Sequence, residues 1–216
     1  MFGARKLLMT GGPLELVGYS NSTTNGQQTT VVVPAVSGVR AGDLLVAVMG
    51  DHTSTTWTGD TGWSEILEDA SGGNSVRLAT KIATASEPGS YTFTTLSSVS
   101  VGAAQILAFR RAAYDSVGAI ARANGNAAIA APAITAPAGI LIAAFYGQTS
   151  SGIPTFTTPS GMTATTPATN DPGTGVRSAM QCFYEEIQAG STGTRTSTRS
   201  LSGGNGAGYL IGVKRA

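Results

Sequence analysis

Apolar runs recur along this chain, each bracketed by clusters of Gly, Pro, Asn, Ser and Thr. Strands of an all-β sandwich or barrel are punctuated in this way. Gly42-Asp43 leads into the continuous run Leu44–Met49, too short for a helix and apolar enough for a strand covered on both faces. From Val76 to Thr84 the pattern alternates. Val76, Leu78, Thr80 and Ile82 fall on one side, with Arg77, Ala79, Lys81 and Ala83 on the other, predicting an antiparallel strand with one wet face. Thr30–Val36 is a β-branched run that Pro34 assigns to a sheet edge. Two Ala-rich stretches, Ala103–Ala113 and Ala127–Ala131, read as strand or loop, because Asn124-Gly125-Asn126 and Pro132 punctuate the second.

The order of these signals occurs twice. Gly139 leads into Ile140–Phe145 as Gly42 leads into Leu44, and Gly161-Met162 follows as Gly62-Trp63 does. Val176-Arg177 then echoes Val76-Arg77, and Gly190-Ser191 echoes Gly89-Ser90. Last, Gly206–Ala216 echoes Gly102–Ala112. Each separation is slightly larger than the one before, as small loop insertions would make it. The pattern predicts an all-β, jelly-roll-like antiparallel β-sandwich with internal duplication. Residues 1–15 form an N-terminal arm, 16–112 a first β half and 113–216 a second, the halves packed as one sandwich.

Composition narrows the function more than the fold. The 216 residues carry a net charge of +1, and only 12% are charged. No strongly basic face follows from that balance, which argues against nucleic acid as a partner. Weak mutual repulsion suits a protein packed among copies of itself. Cys182 is the single cysteine, so no intrachain disulfide is available. In the first ten residues only Leu7-Leu8-Met9 follow Arg5-Lys6, short of a secretory signal core, and no apolar run is long enough to span a membrane. The expectation is synthesis in a host cytoplasm without membrane insertion.

Candidate chemistry is sparse. One histidine, His52, excludes a two-His zinc motif, and no Gly-Lys pair or Gly-x-Ser-x-Gly occurs. Gly203–Gly208 precedes a strand and reads as a turn. Cys182 reads as a small buried hydrophobe and His52 as an exposed loop residue. Glu185 and Glu186 are adjacent on a strand, so their side chains point to opposite faces and make a poor dyad. Glu65 and Glu68 read as solvated near a strand end. No catalytic residue, metal or cofactor is expected. The loop from Asp51 to Trp63 is the richest surface candidate: Trp57, Asp60 and Asp51 could hold a sugar against an aromatic face. Trp63 is matched by Met162 and reads as core, while Trp57 has no counterpart in the second half. Arg5, Lys6, Leu7 and Leu8 form a candidate attachment arm.

Ala41-Gly42-Asp43-Leu44-Leu45-Val46-Ala47, then Gly62-Trp63, Glu87-Pro88-Gly89-Ser90-Tyr91-Thr92-Phe93-Thr94 and Ile106-Leu107-Ala108-Phe109-Arg110 together resemble β-sandwich proteins of tailed bacteriophages and prophages. Such proteins are tail, fibre and head-decoration components. The likeness spans roughly residues 30–145 and, more loosely, the rest. It implies a virion structural role without catalysis, with partners that are copies of the chain, a trimer for instance, and other virion proteins. Carbohydrate recognition at a host surface is the alternative. One departure stands out: Arg111-Ala112-Ala113 occupies a place where the pattern has a small Gly-led turn.

Overall fold

The computed structural model describes residues 12–22, 25–58, 61–96 and 101–216. Among them every regular element is a strand. In the first half these are β1 (Glu15–Asn21), β2 (Thr30–Pro34), β3 (Leu44–Asp51), β4 (Trp57–Thr58), β5 (Ser64–Asp69), β6 (Ser75–Ile82), β7 (Ser90–Thr95) and β8 (Ala103–Arg110). The second half opens with β9 (Ala112–Val117), β10 (Ala121–Arg122), β11 (Ala128–Ala131), β12 (Thr135–Ala136) and β13 (Gly139–Thr149). It closes with β14 (Thr163–Ala164), β15 (Ala168–Asn170), β16 (Arg177–Ile187), β17 (Gly190–Ser191), β18 (Arg195–Thr198) and β19 (Gly206–Arg215).

Two large antiparallel sheets carry the architecture. One runs β1-β8-β3-β6-β5; in the other β19, β13 and β16 hold the centre, with β9 beside β19 and β14 and β15 beside β16. Read from β1 or from β9, the strand order is the same. Each large sheet is backed on its outer face by a small one: β2-β7-β4 in the first half, β11-β18 and β12-β17 in the second. The inner faces of the two large sheets meet each other. Leu44, Val46, Val48, Leu107 and Phe109 lie against Ile140, Ile142, Ala144, Tyr209 and Ile211 in one shared core. Val31, Phe93 and Trp57 cover the outer face of the first large sheet, and Ile129 and Ala131 cover that of the second. The molecule is therefore a stack of four β layers with three cores, each half a small two-layer sandwich.

This stacking explains the strand from Val76 to Ile82. Ala79 and Ala83 look like a wet face, yet both are buried, under the layer that holds Trp57 and Tyr91. Small residues leave room for large aromatics across the layer, and a binary pattern does not show this. Arg77 is buried as well. The ladders also shift one repeat match. Ser64 pairs with Thr80 and Thr163 pairs with Tyr184, which puts Met180, not Val176, where Val76 lies.

At Gly50 a Cβ would sit 2.2 Å from the Tyr146 ring, so only glycine lets β3 pass β13 at that distance. The crossover between halves is made by Arg111, the one described non-glycine residue with positive φ, at 56°. It takes the left-handed conformation that a glycine would supply, which costs an L-residue roughly 1–2 kcal/mol. What holds it there is a cluster of contacts. Its guanidinium donates to the Pro13 carbonyl at 2.6 Å and to Glu15 at 3.0 Å, and its own carbonyl accepts from the Ala216 amide at 3.0 Å.

Sheet edges are blunted. The β1–β8, β5–β6 and β9–β19 ladders each carry a register shift, and the remaining edge is split between the short β14 and β15. Bulged or very short edges discourage strand addition by another chain.

Candidate functional site

The loop that begins at Asp51 folds inward. Asp51 is fully buried, and its carboxylate accepts from the His52 amide at 2.7 Å, the Thr53 hydroxyl at 2.5 Å and the Val101 amide at 2.9 Å. Both oxygens are thus engaged within the protein. His52 is not an exposed loop side chain: it is 15% exposed, and its Nδ1 accepts from Val101 N at 3.0 Å while lying 3.2 Å from Asp51. Trp57 is 3% exposed. Its indole Nε1 donates to the Ser75 hydroxyl at 3.1 Å and its amide donates to Glu68 at 2.5 Å. Asp60 lies outside the described residues, as do Arg5, Lys6, Leu7 and Leu8.

The ring expected to face a ligand is instead a core residue, and its missing counterpart exists. Trp57 pairs with Thr95 beside β7, and Phe156 bridges Arg199 in the same position of the second half. Phe156 packs near Phe145, with ring centroids 6.5 Å apart. The two segments share the pattern Thr-aromatic-Thr, Thr56-Trp57-Thr58 and Thr155-Phe156-Thr157, at the same separation as Gly62 and Gly161, and that spacing is the signal for the match. Trp63 behaves as expected of a residue packed near the core, with its ring edge-on to Tyr91 and Phe93. Cys182 is buried, and burial pushes its thiol pKa up, away from the reactive thiolate.

Polar side chains in the interior act as fasteners. Arg199 is 2% exposed and forms no ion pair among the described residues. Its guanidinium donates to the carbonyls of Gln148, Asn205, Ala123, Asn126 and Gly204, gathering two loops and the end of β13 around one cation. Gln105, wholly buried, crosses between the large sheets. Its Oε1 accepts from the Cys182 amide at 2.7 Å and the Thr165 hydroxyl at 3.2 Å. Its Nε2 donates to Asn21 Oδ1 at 2.6 Å and to the Thr166 carbonyl at 2.5 Å. Asn170 makes a second bridge, accepting from Gly26 N at 2.8 Å and donating to the Gly26 and Gly102 carbonyls. Glu87 gathers Lys81, Tyr91 and Thr84. Burial raises its carboxyl, but hydrogen bonds from those three residues outweigh burial and hold it at about 2.

Open concave surface lies elsewhere. A groove of about 550 Å³ runs into a second of about 240 Å³, the two sharing Pro13, Leu14, Ile140 and Glu186. The size suits a ligand cleft. Leu16 and Tyr184 line it too, and both pack against the shared core, so the groove is the open end of the layer between the two large sheets. Glu185 and Glu186, expected to have nothing in common, both line it. Glu185 is tied to Arg195 at 2.5 Å and Glu15 to Arg111, whereas Glu186 is exposed with no ion-pair partner among the described residues. No cluster of His, Cys, Asp and Glu suited to a metal occurs among the described residues. No protein-family model, curated protein or solved structure matches the chain.

Proposed function

We propose that the protein is a structural building block of a phage-like particle, working by packing against copies of itself and other particle proteins rather than by chemistry. The observation that carries this reading is the pair of outer faces. Thr92 and Thr94 point outward from β7 and Thr196 and Thr198 point outward from β18, at corresponding places on opposite sides of the four-layer stack. A block with the same uncharged, β-branched face on two sides can be contacted from both. With bulged edges opposing strand addition, face-to-face burial is the route to the area a stable assembly needs, about 1,200–2,000 Å² per interface. Interior polar groups such as Asp51, Gln105 and Arg199 are spent on internal hydrogen bonds, as a rigid block requires. The resemblance to virion β-sandwich proteins points the same way. Location in the virion, on head or tail, and a cyclic oligomer such as a trimer belong to this proposal.

The test is copurification. Particles from a producing host should contain the protein in fixed stoichiometry, and Thr92→Arg with Thr196→Arg should leave it folded but unincorporated. Purified particles lacking the protein would sink the proposal. Binding to a host glycan would need an aromatic platform other than Trp57, whose ring is in the core.

A further inference from the structure

The groove at the open end of the central layer has a composition that selects its occupant. Leu14, Leu16, Ile140 and Tyr184 supply apolar contact, and Ile187 extends it. Three carboxylates, Glu15, Glu185 and Glu186, stand at it, and Arg111 and Arg195 offset only the first two. Glu186 has no ion-pair partner among the described residues. A ligand that fits is a short peptide with a basic pair next to leucine-sized side chains.

Of the chain's three basic pairs, Arg110-Arg111 and Lys214-Arg215 stand at the ends of β8 and β19, which leaves Arg5-Lys6, and the chain that follows it lines the groove. Arg5-Lys6-Leu7-Leu8-Met9 is followed by Thr10-Gly11-Gly12, and the next residues, Pro13 and Leu14, line both cavities. Arg111 holds that exit in place, donating from Nε to the Pro13 carbonyl at 2.6 Å. At most about 3.6 Å separates successive residues of an extended chain, so Met9 and Leu8 begin within a few residues' reach of the cleft. Tethering at the rim gives the segment a high effective concentration there, far above that of a free peptide.

We propose that this groove is the seat of the chain's own segment Arg5–Met9, with Leu7, Leu8 and Met9 against the apolar wall and Lys6 at Glu186. Seated there, the segment covers the exposed end of the core shared by the two halves. The inference does not depend on the assembly reading: it would hold for a protein that never meets a particle.

Zero-length carbodiimide crosslinking of the full chain tests it, because the reagent joins only an amine and a carboxylate already in contact. Equal amounts of ordinary and ¹⁵N-labelled chain are mixed before reaction and peptides are read by mass spectrometry. The expected product links Lys6 to Glu186, with both halves of each crosslinked peptide from the same isotope. In a second measurement on the full chain, Leu7→Ser with Leu8→Ser should move the amide NMR signals of Ile140, Tyr184 and Ile187 and leave those of the β2-β7-β4 sheet in place. Crosslinks from Lys6 to carboxylates remote from the groove, such as Glu68 or Asp69, would overturn the proposal. So would mixed-isotope crosslinks, which would put the segment on a neighbouring copy, or groove signals indifferent to the double substitution.

Discussion

Replacing Gln105 by Leu asks how much one side chain contributes to joining the two halves. The amide reaches out of β8 into the gap between β14 and β15, where the edge partner of β16 is interrupted. There the Cys182 N–H has Gln105 Oε1 as its acceptor, at 2.7 Å. The other partners are better provided for: the Thr165 hydroxyl also donates to the Cys182 carbonyl at 2.8 Å, and the Thr166 carbonyl also accepts from Asn21 at 3.1 Å. Leucine therefore orphans one buried backbone donor, costing about 1–3 kcal/mol, and forfeits weaker bonds whose partners have alternatives. Added apolar contact returns about 1 kcal/mol. The net expectation is a loss of about 2 kcal/mol. For a chain of this length that is a fall of roughly 4–8 °C in Tm, with an unchanged urea m-value. Tyr209 holds the equivalent place in the second half, and its hydroxyl donates to the Arg77 carbonyl at only 3.4 Å. Tyr209→Phe should cost less than about 1 kcal/mol. If Gln105→Leu costs no more than Tyr209→Phe in urea melts, the orphaned-donor reasoning is wrong.

Three further substitutions probe other links. Trp57→Ala should destabilise by about 3–5 kcal/mol, seen as a large drop in the urea midpoint, because the ring is core and its Nε1 is paired; a variant as stable as the parent would return Trp57 to the surface. Arg111→Ala and Arg111→Gly lose the same guanidinium contacts and differ only in backbone, so the Gly variant should be more stable than the Ala variant by about 1 kcal/mol; equal urea midpoints would refute strain at that crossover. Glu87 has a folded pKa of about 2, depressed from 4.5, so its contribution is complete above pH 4.5 and is lost as pH falls toward 2. In melts across that window Glu87→Gln should be less stable than the parent at neutral pH and should lose less on acidification; a parallel decline of the two proteins would count against the Lys81–Glu87–Tyr91 cluster.

What the sequence disclosed follows from what hydrophobic patterning can encode. Leu44–Met49 and Ile140–Phe145 read as strands covered twice because both faces are apolar, and both lie at the centre of their sheets. The duplication is legible for the same reason: its strands keep their order and their apolar weight. The outer layers are less legible. Ala79 sits under Trp57 and Tyr91, and small residues facing large ones across a layer leave no alternation to detect. The Thr and Gly around Trp57 suggest a surface residue, but Trp57 lies on a two-residue strand, too short to show a period. The groove was invisible because it is made by the start of β1, the start of β13 and the end of β16, and no local pattern joins Leu14 to Ile140 and Glu186. Glu185 and Glu186 do point apart on their strand, as the alternation rule requires, and still meet at one cleft because the cleft wraps the end of that strand.

The way the halves meet carries an argument of its own. Gln105 reaches from β8 to the backbone of β16, and Tyr209, its equivalent on β19, reaches to the backbone of β6, the equivalent of β16. The contact is reciprocal in the sense that defines a two-fold interface, where patch i meets patch j and j meets i. Two copies of one half joined as a symmetric dimer would look the same in outline. Fusion frees the two sides to differ, and they do: a glutamine faces a tyrosine, Thr95 corresponds to the caged Arg199, and Trp57 corresponds to Phe156. Each of those differences replaces one way of filling or fastening the interior with another. If partners are told apart by which side they contact, the residues to change are the outward ones on β7 and β18, where sequence can vary without disturbing any of the three cores.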